Sequence, residues 1–294
     1  MSGTAADKRM ALAEAIAGDE LVIAPGVYDM ISAKLADRLG FGALYLTGYG
    51  IAASHLGVPD AGLASYSDVL ERVRVIAGGT ETPLICDADT GFGGLLNVRH
   101  TVRGFEAVGC AAIQIEDQES PKRCGLTAGC RVIPVDEMVR KVEVAVEART
   151  DPKLMLIART DARGELGFEA ALERAERYAA AGADVIFVQG IASEAELAEV
   201  CTRVSRPCLV NIATPDGLGS LAPSRVRATG CRLAIYPGLG MLAATAAMSA
   251  AYDTLQHDGS LADLDTPLFD REAMHRLMGF EQIWAFEERW REDA

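Results

Sequence analysis

Eight short apolar runs recur along the chain with helical stretches between them, and no other feature narrows the choice of fold as far. They are Leu21–Ala24, Ala43–Thr47, Leu84–Asp89, Ala111–Glu116, Leu154–Thr160, Asp184–Gln189, Cys208–Ile212 and Arg232–Tyr236. Each is a continuous hydrophobic run, rich in β-branched residues, more than a clean alternation. Parallel strands buried on both faces read in this way. The intervening stretches repeat apolar residues at helical spacing. In Gly167–Gly182, for example, Phe168, Ala171, Leu172, Ala175 and Tyr178 share a face. Glu173, Arg174, Glu176 and Arg177 fall largely elsewhere, and Gly182 ends the helix. Eight strands alternating with helices predict a (β/α)8 barrel of the TIM type, with a doubly wound open sheet as the alternative. The 294 residues accommodate one barrel domain of about 250 residues. The remainder reads as an N-terminal helix within 1–18 and a C-terminal helix within 268–294.

Charge excludes several classes of partner. Lys and Arg number 28 against 42 Asp and Glu, a net charge of −14. Neither nucleic acid nor an anionic membrane surface is an expected partner, whereas a small anion in a locally positive pocket is compatible. Seven cysteines, none in a CxxC pair, and four histidines argue against a disulfide framework or structural zinc and for a reducing, cytoplasmic setting. The first twenty residues mix Lys8, Arg9 and Glu14 with alanine and lack the apolar core of a secretory leader. One uncharged run, Leu233–Tyr252, has the length of a membrane span, but Pro237, Gly238 and Gly240 interrupt it. It reads as a buried strand followed by a small-residue helix.

The two longest connections, Gly48–Ser65 and Asp117–Pro134, follow the second and fourth strands, at the end of a barrel that carries its chemistry. Gly48-Tyr49-Gly50 resembles half of a dinucleotide fingerprint. Gly57, Pro59 and Gly62 then argue against a helix, so a glycine turn offering N–H groups to an anion is the preferred reading. The tail Phe269–Trp290 reads as one helix. Its Met274, Leu277, Met278, Ile283, Trp284 and Phe286 exceed what a terminal helix needs, which points to packing on another subunit.

Ionisable residues cluster at the strand ends. Residues i and i+2 of a strand share a face, so Asp87 and Asp89 stand side by side and repel each other unless a cation intervenes. Hard oxygen donors suit Mg²⁺ or Mn²⁺; capping of the next helix is the plainer alternative. Glu116 ends the neighbouring strand, about 5 Å away, where a further ligand is in place. Lys122 and Arg123 flank Cys124 and favour its thiolate, against the alternative of a solvated basic loop. Arg159 ends the fifth strand, where it either clamps a substrate carboxylate or pairs with Glu116 or Asp161.

With these pieces in order, the chain resembles the isocitrate lyase/phosphoenolpyruvate mutase superfamily over nearly its whole length. Tyr45-Leu46-Thr47-Gly48, Gly57-Val58-Pro59-Asp60, Asp87-Ala88-Asp89-Thr90-Gly91-Phe92-Gly93, Ile115-Glu116-Asp117-Gln118, Lys122-Arg123-Cys124-Gly125 and Ala158-Arg159-Thr160-Asp161 stand in that family's order and spacing. The resemblance implies an α/β barrel that binds Mg²⁺, with Mn²⁺ as a substitute, and acts on small 2-oxo or 2-hydroxy acids. It also implies a homotetramer, a dimer of dimers that swap the last helix. Asp87 would hold the metal, with Asp89, Glu116 and Asp60 near it or bridged by water. Thr47, Gly48, Tyr49 and Gly125 would bind a substrate carboxylate, with Arg159, Gln189 and Asn211 on the same ligand. Tyr45 would deprotonate the 2-hydroxyl. Cys124, on a closing loop with Lys122, would protonate the departing carbanion.

Three positions depart from the family pattern. Leu126 replaces the His that follows Cys-Gly, Gln189 replaces a Glu, and Leu242 occupies the place of an Arg after Tyr236-Pro237. Losing that cation favours a dicarboxylate, such as an alkylated malate or oxaloacetate, over a tricarboxylate. The resulting expectation is an Mg²⁺-dependent carbon–carbon lyase cleaving a 2-hydroxy dicarboxylate, of the alkylmalate or methylisocitrate type, to a 2-oxo acid and a second carboxylate. Hydrolysis of oxaloacetate and phosphonopyruvate or phosphoenolpyruvate chemistry are the same-fold alternatives. A non-catalytic ligand binder is the reading from another class, and turnover of any such acid separates it from the enzymes.

Overall fold

The computed structural model describes residues 3–125, 127 and 129–291, so Leu126 lies outside the described residues. Seven of the eight apolar runs contain a whole strand, and the first, Leu21–Ala24, holds only the start of β1: β1 (Val22–Val27), β2 (Leu44–Leu46), β3 (Leu84–Asp87), β4 (Ala112–Glu116), β5 (Met155–Thr160), β6 (Val185–Val188), β7 (Cys208–Asn211) and β8 (Leu233–Tyr236). All pair in parallel, in chain order, and β1 closes on β8. This is a (β/α)8 barrel.

The strands read as unbroken apolar runs because both of their faces are buried. Tyr45, Ile85, Ile157, Phe187, Leu209 and Leu233 belong to an inner cluster, with Leu12 and Ile16 of helix Ala5–Ala17. Ala43 and Ala111, which precede β2 and β4, join the same cluster, so that helix plugs the N-terminal end of the barrel. Leu46, Cys86, Ile113 and Ile186 face outward onto Val73, Val102, Phe105 and Met138 of the surrounding helices. Helix starts are set locally: Thr4, Asp29 and Ser65 each form a reciprocal capping box.

Several expectations need correction. β3 ends at Asp87, and Asp89 beyond it has φ 47°, so strand alternation does not place Asp89. The stretch after β2 is helical: Gly48–Ile51 continues into a wider turn, Ala52–Leu56, which Gly57 ends at φ 67°. Thr47 caps it through the Gly50 N–H, a start signal that the glycines concealed. Arg174, read as lying off the buried face, is buried. Leu233–Tyr252 divides into β8 and the start of helix Leu239–Asp258, and no described helix is long and apolar enough to cross a membrane.

The chain forms two compact units, Met1–Met241 and Leu242–Ala294. In the second, the tail is two helices, Arg271–Met278 and Phe280–Arg289, because Gly279 between them takes φ 83°. His275, Phe280 and Trp284 pack ring against ring. Leu277 is buried, whereas Ile283, Trp284, Phe286 and Trp290 are each more than half exposed.

The β1–β8 seam depends on a missing side chain. A Cβ on Gly26 would lie 2.1 Å from the Pro237 carbonyl oxygen, and backbone cannot swing aside as a side chain can. Gly26→Ala is expected to cost about 2–3 kcal/mol and to lower the thermal midpoint by roughly 5 °C. Gly78→Ala, on a helix with open space around it, is expected to raise stability by about 0.5–1 kcal/mol. Circular dichroism melts check both, and an unshifted Gly26→Ala midpoint contradicts the packing argument.

Candidate active site

The C-terminal mouth of the barrel gathers the charged residues. Asp87 ends β3, and its Oδ1 accepts the Asp89 N–H at 3.1 Å and Gln114 Nε2 at 3.2 Å. Gln114 also accepts the Tyr45 hydroxyl at 2.9 Å. Asp89 turns back over the strand end, so both carboxylates flank Gly48: a Cβ there would meet Asp87 Oδ2 at 3.1 Å and Asp89 Oδ1 at 3.2 Å. The register pairs Glu116 with Arg159, and Arg159 Nη1 lies 3.2 Å from Glu116 Oε2.

Lys122 is carried into this cluster by the loop after β4. It is 6% exposed and pairs with Asp60 and, at 2.9 Å, with Asp89. The neighbouring Arg123 is exposed. Gln118 pins the loop, accepting Arg123 N–H and donating to the Arg123 carbonyl, each at 2.9 Å. Gly125 then sits against Arg159, and Gln189 Nε2 donates to the Gly125 carbonyl at 3.4 Å. Cys124 is partly buried, and its carbonyl accepts from Thr127 N–H at 2.9 Å.

Electrostatics follow from burial. Five carboxylates (Asp60, Asp87, Asp89, Glu116 and Asp161) face two cations, Lys122 and Arg159. Burial pushes Asp89 up to about 6, helped by Asp87 and resisted by Lys122. Burial raises Glu116 well above the usual carboxylate range against the pull of Arg159. Burial alone would lower Lys122, but Asp89, Glu116, Asp87 and Asp60 outweigh it and hold its proton firmly. Tyr45 is pushed well above its ordinary value by burial and then by Asp87, so its phenol stays protonated.

Arg159 takes the second of its two readings. Its Nε and Nη2 reach both oxygens of Asp161, at 2.9 and 2.7 Å, and its ring-facing side stacks 5.2 Å from the Phe187 centroid. The guanidinium is paired with the carboxylates of Glu116 and Asp161. Thr47 and Gly48 are buried beside the cluster, whereas Tyr49 is 45% exposed. Asn211 Nδ2 donates to Gln189 Oε1 at 3.3 Å, leaving its own Oδ1 buried without a donor. Both line a cleft with Ile212, Thr214 and Asp216, and among the described residues no Lys or Arg lines it.

A divalent cation fits these residues. Both oxygens of Glu116, and Oδ1 of Asp89, are buried without a hydrogen bond, although Lys122 and Arg159 stand at ion-pair distance. Their lone pairs are hard donors with spare capacity. Among the described residues no three His, Cys, Asp or Glu converge as a complete ligand set. An ion held by one or two of these carboxylates would complete its shell with water and ligand oxygens, as Mg²⁺ does.

Residues that sequence reasoning did not single out hold the site in place. Asp117 is buried under β4 and β5. It accepts Thr160 Oγ1 and Tyr178 Oη at 2.7 Å, Arg174 at 3.0 Å and the Asp161 N–H at 2.9 Å. Gln114 bridges Tyr45 and Asp87. The available signal for Gln114 was a polar residue within an apolar strand, two before Glu116 and so on its face. Nothing local marked Asp117 as a hub, because its partners come from distant segments.

A closed parallel barrel whose ionisable groups collect where its strands end is the architecture of a (β/α)8 enzyme. Residues 12–256 match the family described as phosphoenolpyruvate phosphomutase. The chain belongs to that family and is an enzyme of the PEP mutase/isocitrate lyase superfamily. It is 39% identical over 270 residues to 2,3-dimethylmalate lyase of Eubacterium barkeri, covering 92% of this chain and 93% of that one. It is 40% identical over 271 residues to 2-methylisocitrate lyase of Aeropyrum pernix, covering 92% and 87%. Among solved structures, oxaloacetate acetylhydrolase in complex with 3,3-difluorooxalacetate superposes with a TM-score of 0.88 at 33% identity, covering 97% and 96%. Phosphonopyruvate hydrolase in complex with oxalate and Mg²⁺ superposes with a TM-score of 0.86 at 30% identity, covering 99% of each.

Two tests follow from this geometry. Because the folded pKa of Asp89 exceeds its unfolded value, the native state keeps a proton that the unfolded chain releases above about pH 4. That stabilisation is present below pH 4 and is lost as pH rises through about 6. Asn tolerates the left-handed backbone at position 89. In chelator, wild type is expected to lose on the order of 3 kcal/mol relative to Asp89→Asn between pH 4 and 7, read by denaturant unfolding. A constant difference across that range contradicts the burial argument. Separately, a Cβ on Gly125 would meet Arg159 Nη2 at 2.1 Å and Asp161 Oδ1 at 2.7 Å. Gly125→Ala is expected to unseat the loop and speed tryptic cleavage at Lys122 or Arg123 roughly tenfold, from an overpacking cost of about 1–3 kcal/mol, with the thermal midpoint unchanged.

Proposed function

We propose that the chain is an Mg²⁺-dependent carbon–carbon lyase that cleaves a 2-hydroxy dicarboxylate of the alkylmalate type to a 2-oxo acid and a second carboxylate. The observation that carries this reading is the surplus of buried carboxylate at a mouth that must admit an anion. Two cations face five carboxylates, and burial drives Asp89 and Glu116 toward protonation; a divalent ion would supply the charge that keeps them ionised. Asp87 would hold it, with Asp89 and Glu116 beside it and Asp60 engaged through Lys122. When bound, such an ion polarises the hydroxyl and carboxylate oxygens of the substrate.

The protein's own groups then divide the work. Lys122 and Arg159 provide positive potential for the substrate dianion, and the Gly48 and Tyr49 N–H groups, at the start of the turn whose Gly50 N–H Thr47 caps, present donors to a carboxylate. Docking of Gly125 on Arg159 and Gln189 covers the site and excludes water. Tyr45, whose proton is held tightly, acts as a donor; the 2-hydroxyl proton passes to Glu116, whose proton affinity burial raises. Cleavage in the retro-aldol sense leaves the electron pair on the carbon next to the second carboxylate, and Cys124 delivers its proton there. The cation-free cleft beside Gln189 and Asn211 supports a dicarboxylate with small alkyl groups over a tricarboxylate.

The test is a panel of alkylated malates, 2-methylisocitrate, oxaloacetate and phosphonopyruvate, with Mg²⁺ and with chelator. Metal-dependent release of a 2-oxo acid from an alkylated malate is expected. Oxalate and acetate from oxaloacetate alone would favour hydrolysis, a reading that the likeness to oxaloacetate acetylhydrolase keeps in view. Asp87→Ala is expected to abolish turnover and Mg²⁺ binding with the fold intact. Cys124→Ala or Cys124→Ser is expected to lower kcat at least about a hundredfold with little change in KM. In D₂O, solvent deuterium should enter the product that lacks the 2-oxo group. Near-normal kcat in Cys124→Ala would remove Cys124 as the acid.

The exposed apolar side chains of helices Arg271–Met278 and Phe280–Arg289 support a homotetramer in which this tail is covered by another copy. Light scattering at micromolar concentration checks it, and a monomer contradicts it.

A further inference from the structure

Three of the seven cysteines meet at the end of the barrel opposite the mouth. Cys201 lies near the C-terminal end of helix Glu194–Arg203, Cys208 opens β7, and Cys231 stands two residues before β8. Cys208 and Cys231 are 1% and 0% exposed, whereas Cys201 is partly exposed. Neighbouring strands bring the two buried residues together: Arg232 N–H donates to the Cys208 carbonyl at 3.1 Å, and Cys231 Sγ donates to the same carbonyl at 3.2 Å. The helix sets its own cysteine on this pair. A Cβ on Gly230 would lie 3.2 Å from that of Cys201, so Cys201 touches the backbone beside Cys231. Cys201 thus packs on the β7–β8 edge where Cys208 and Cys231 stand, beside Thr229 and Arg232.

Three small apolar side chains would fill this space equally well, but they would not reproduce its chemistry. The Cys208 and Cys231 thiols, then Thr229 and Arg232, outweigh burial and hold Cys201 below the ordinary thiol range. Its two neighbours are pushed upward, by Cys201 and by burial. One accessible thiol with thiolate character thus stands on two protonated thiols, the arrangement of an attacking sulfur and its resolving partner. Among the described residues no three Cys, His, Asp or Glu are arranged to hold a metal, so sulfur–sulfur chemistry is what the cluster offers.

We propose that Cys201 is a peroxide-sensitive thiol that closes a disulfide with one of the buried thiols beside it, Cys208 or Cys231. The Cys201 sulfur attacks hydrogen peroxide and the O–O bond breaks. One oxygen stays on sulfur as a sulfenic acid, and the other leaves as water with the thiol proton. The buried thiol then attacks the sulfenic sulfur. The S–S bond forms, and the sulfenic hydroxyl leaves as a second water with that thiol's proton. Two thiols are oxidised by two electrons, and one peroxide is reduced to two waters. The bond ties the end of helix Glu194–Arg203 to the barrel floor, away from Cys124.

The three cysteines fall on separate tryptic peptides, which makes the bond directly readable. The full chain is reduced, freed of reductant, exposed to a small excess of hydrogen peroxide, denatured in N-ethylmaleimide, digested with trypsin and analysed by mass spectrometry. The expected product is a cross-linked pair containing Cys201 with Cys208 or with Cys231, two hydrogens lighter than the summed peptides. In Cys201→Ser and Cys201→Ala, Cys208 and Cys231 are expected to carry the alkyl label after the same treatment. Labelling of all three cysteines in peroxide-treated wild type overturns the proposal. So does a Cys208–Cys231 link that forms equally in the variants.

Discussion

The site is organised around a buried excess of negative charge. Five carboxylates at the C-terminal mouth face two cations in a region shielded from water, where an unpaired charge is costly. Lys122 answers part of it, and it does so from a loop, so the position of that loop is bound to Asp60 and Asp89. Arg159 answers another part from a strand end, using both arms of its fork on Asp161. Glu116 is left with an ion pair and no hydrogen bond. A pocket built in this way gains from a cation and, once it holds one, from an anion. Loop docking, metal affinity and substrate entry thereby become aspects of one electrostatic balance.

That balance requires a stiff support, and Asp117 provides it. Its carboxylate accepts from Thr160, Arg174, Tyr178 and the Asp161 N–H, joining the ends of β4 and β5 to helix Phe168–Ala180. The Asp161 backbone is set by this contact, and the Asp161 side chain in turn sets Arg159. Gln114 has the corresponding position under Asp87. Fully satisfied buried networks of this kind hold a site in one geometry.

Much of the fold was legible because it depends on local chemistry. Every apolar run marked a strand, since a parallel strand buried on two faces looks continuous, although Pro25 and Gly26 hid the second half of β1. The failures were also local. Gly48 and Gly50 obscured a short helix that Thr47 starts. Apolar residues on both sides of Gly279 made two helices look like one. The site was half legible. Asp87, Asp89, Glu116 and Lys122 do meet, although Asp89 arrives through a left-handed turn and not by strand alternation. Tyr45 lies at the centre but with its proton firmly held, which depends on burial that no residue string displays. The pairing of Arg159 with Asp161 became visible only in the tertiary structure.

By itself the sequence determined the strand rhythm, the helix caps and the stock of charges at the strand ends, because each is decided by a residue and its near neighbours. Tertiary structure alone decided which charge meets which. Asp60 reaches Lys122 across two loops, Asp117 gathers partners from β5 and the helix that follows it, and Cys201 reaches Cys208 and Cys231 only once the barrel has closed. Such contacts join segments far apart in the chain, and their strength comes from the exclusion of water that closure brings, so no local pattern encodes them.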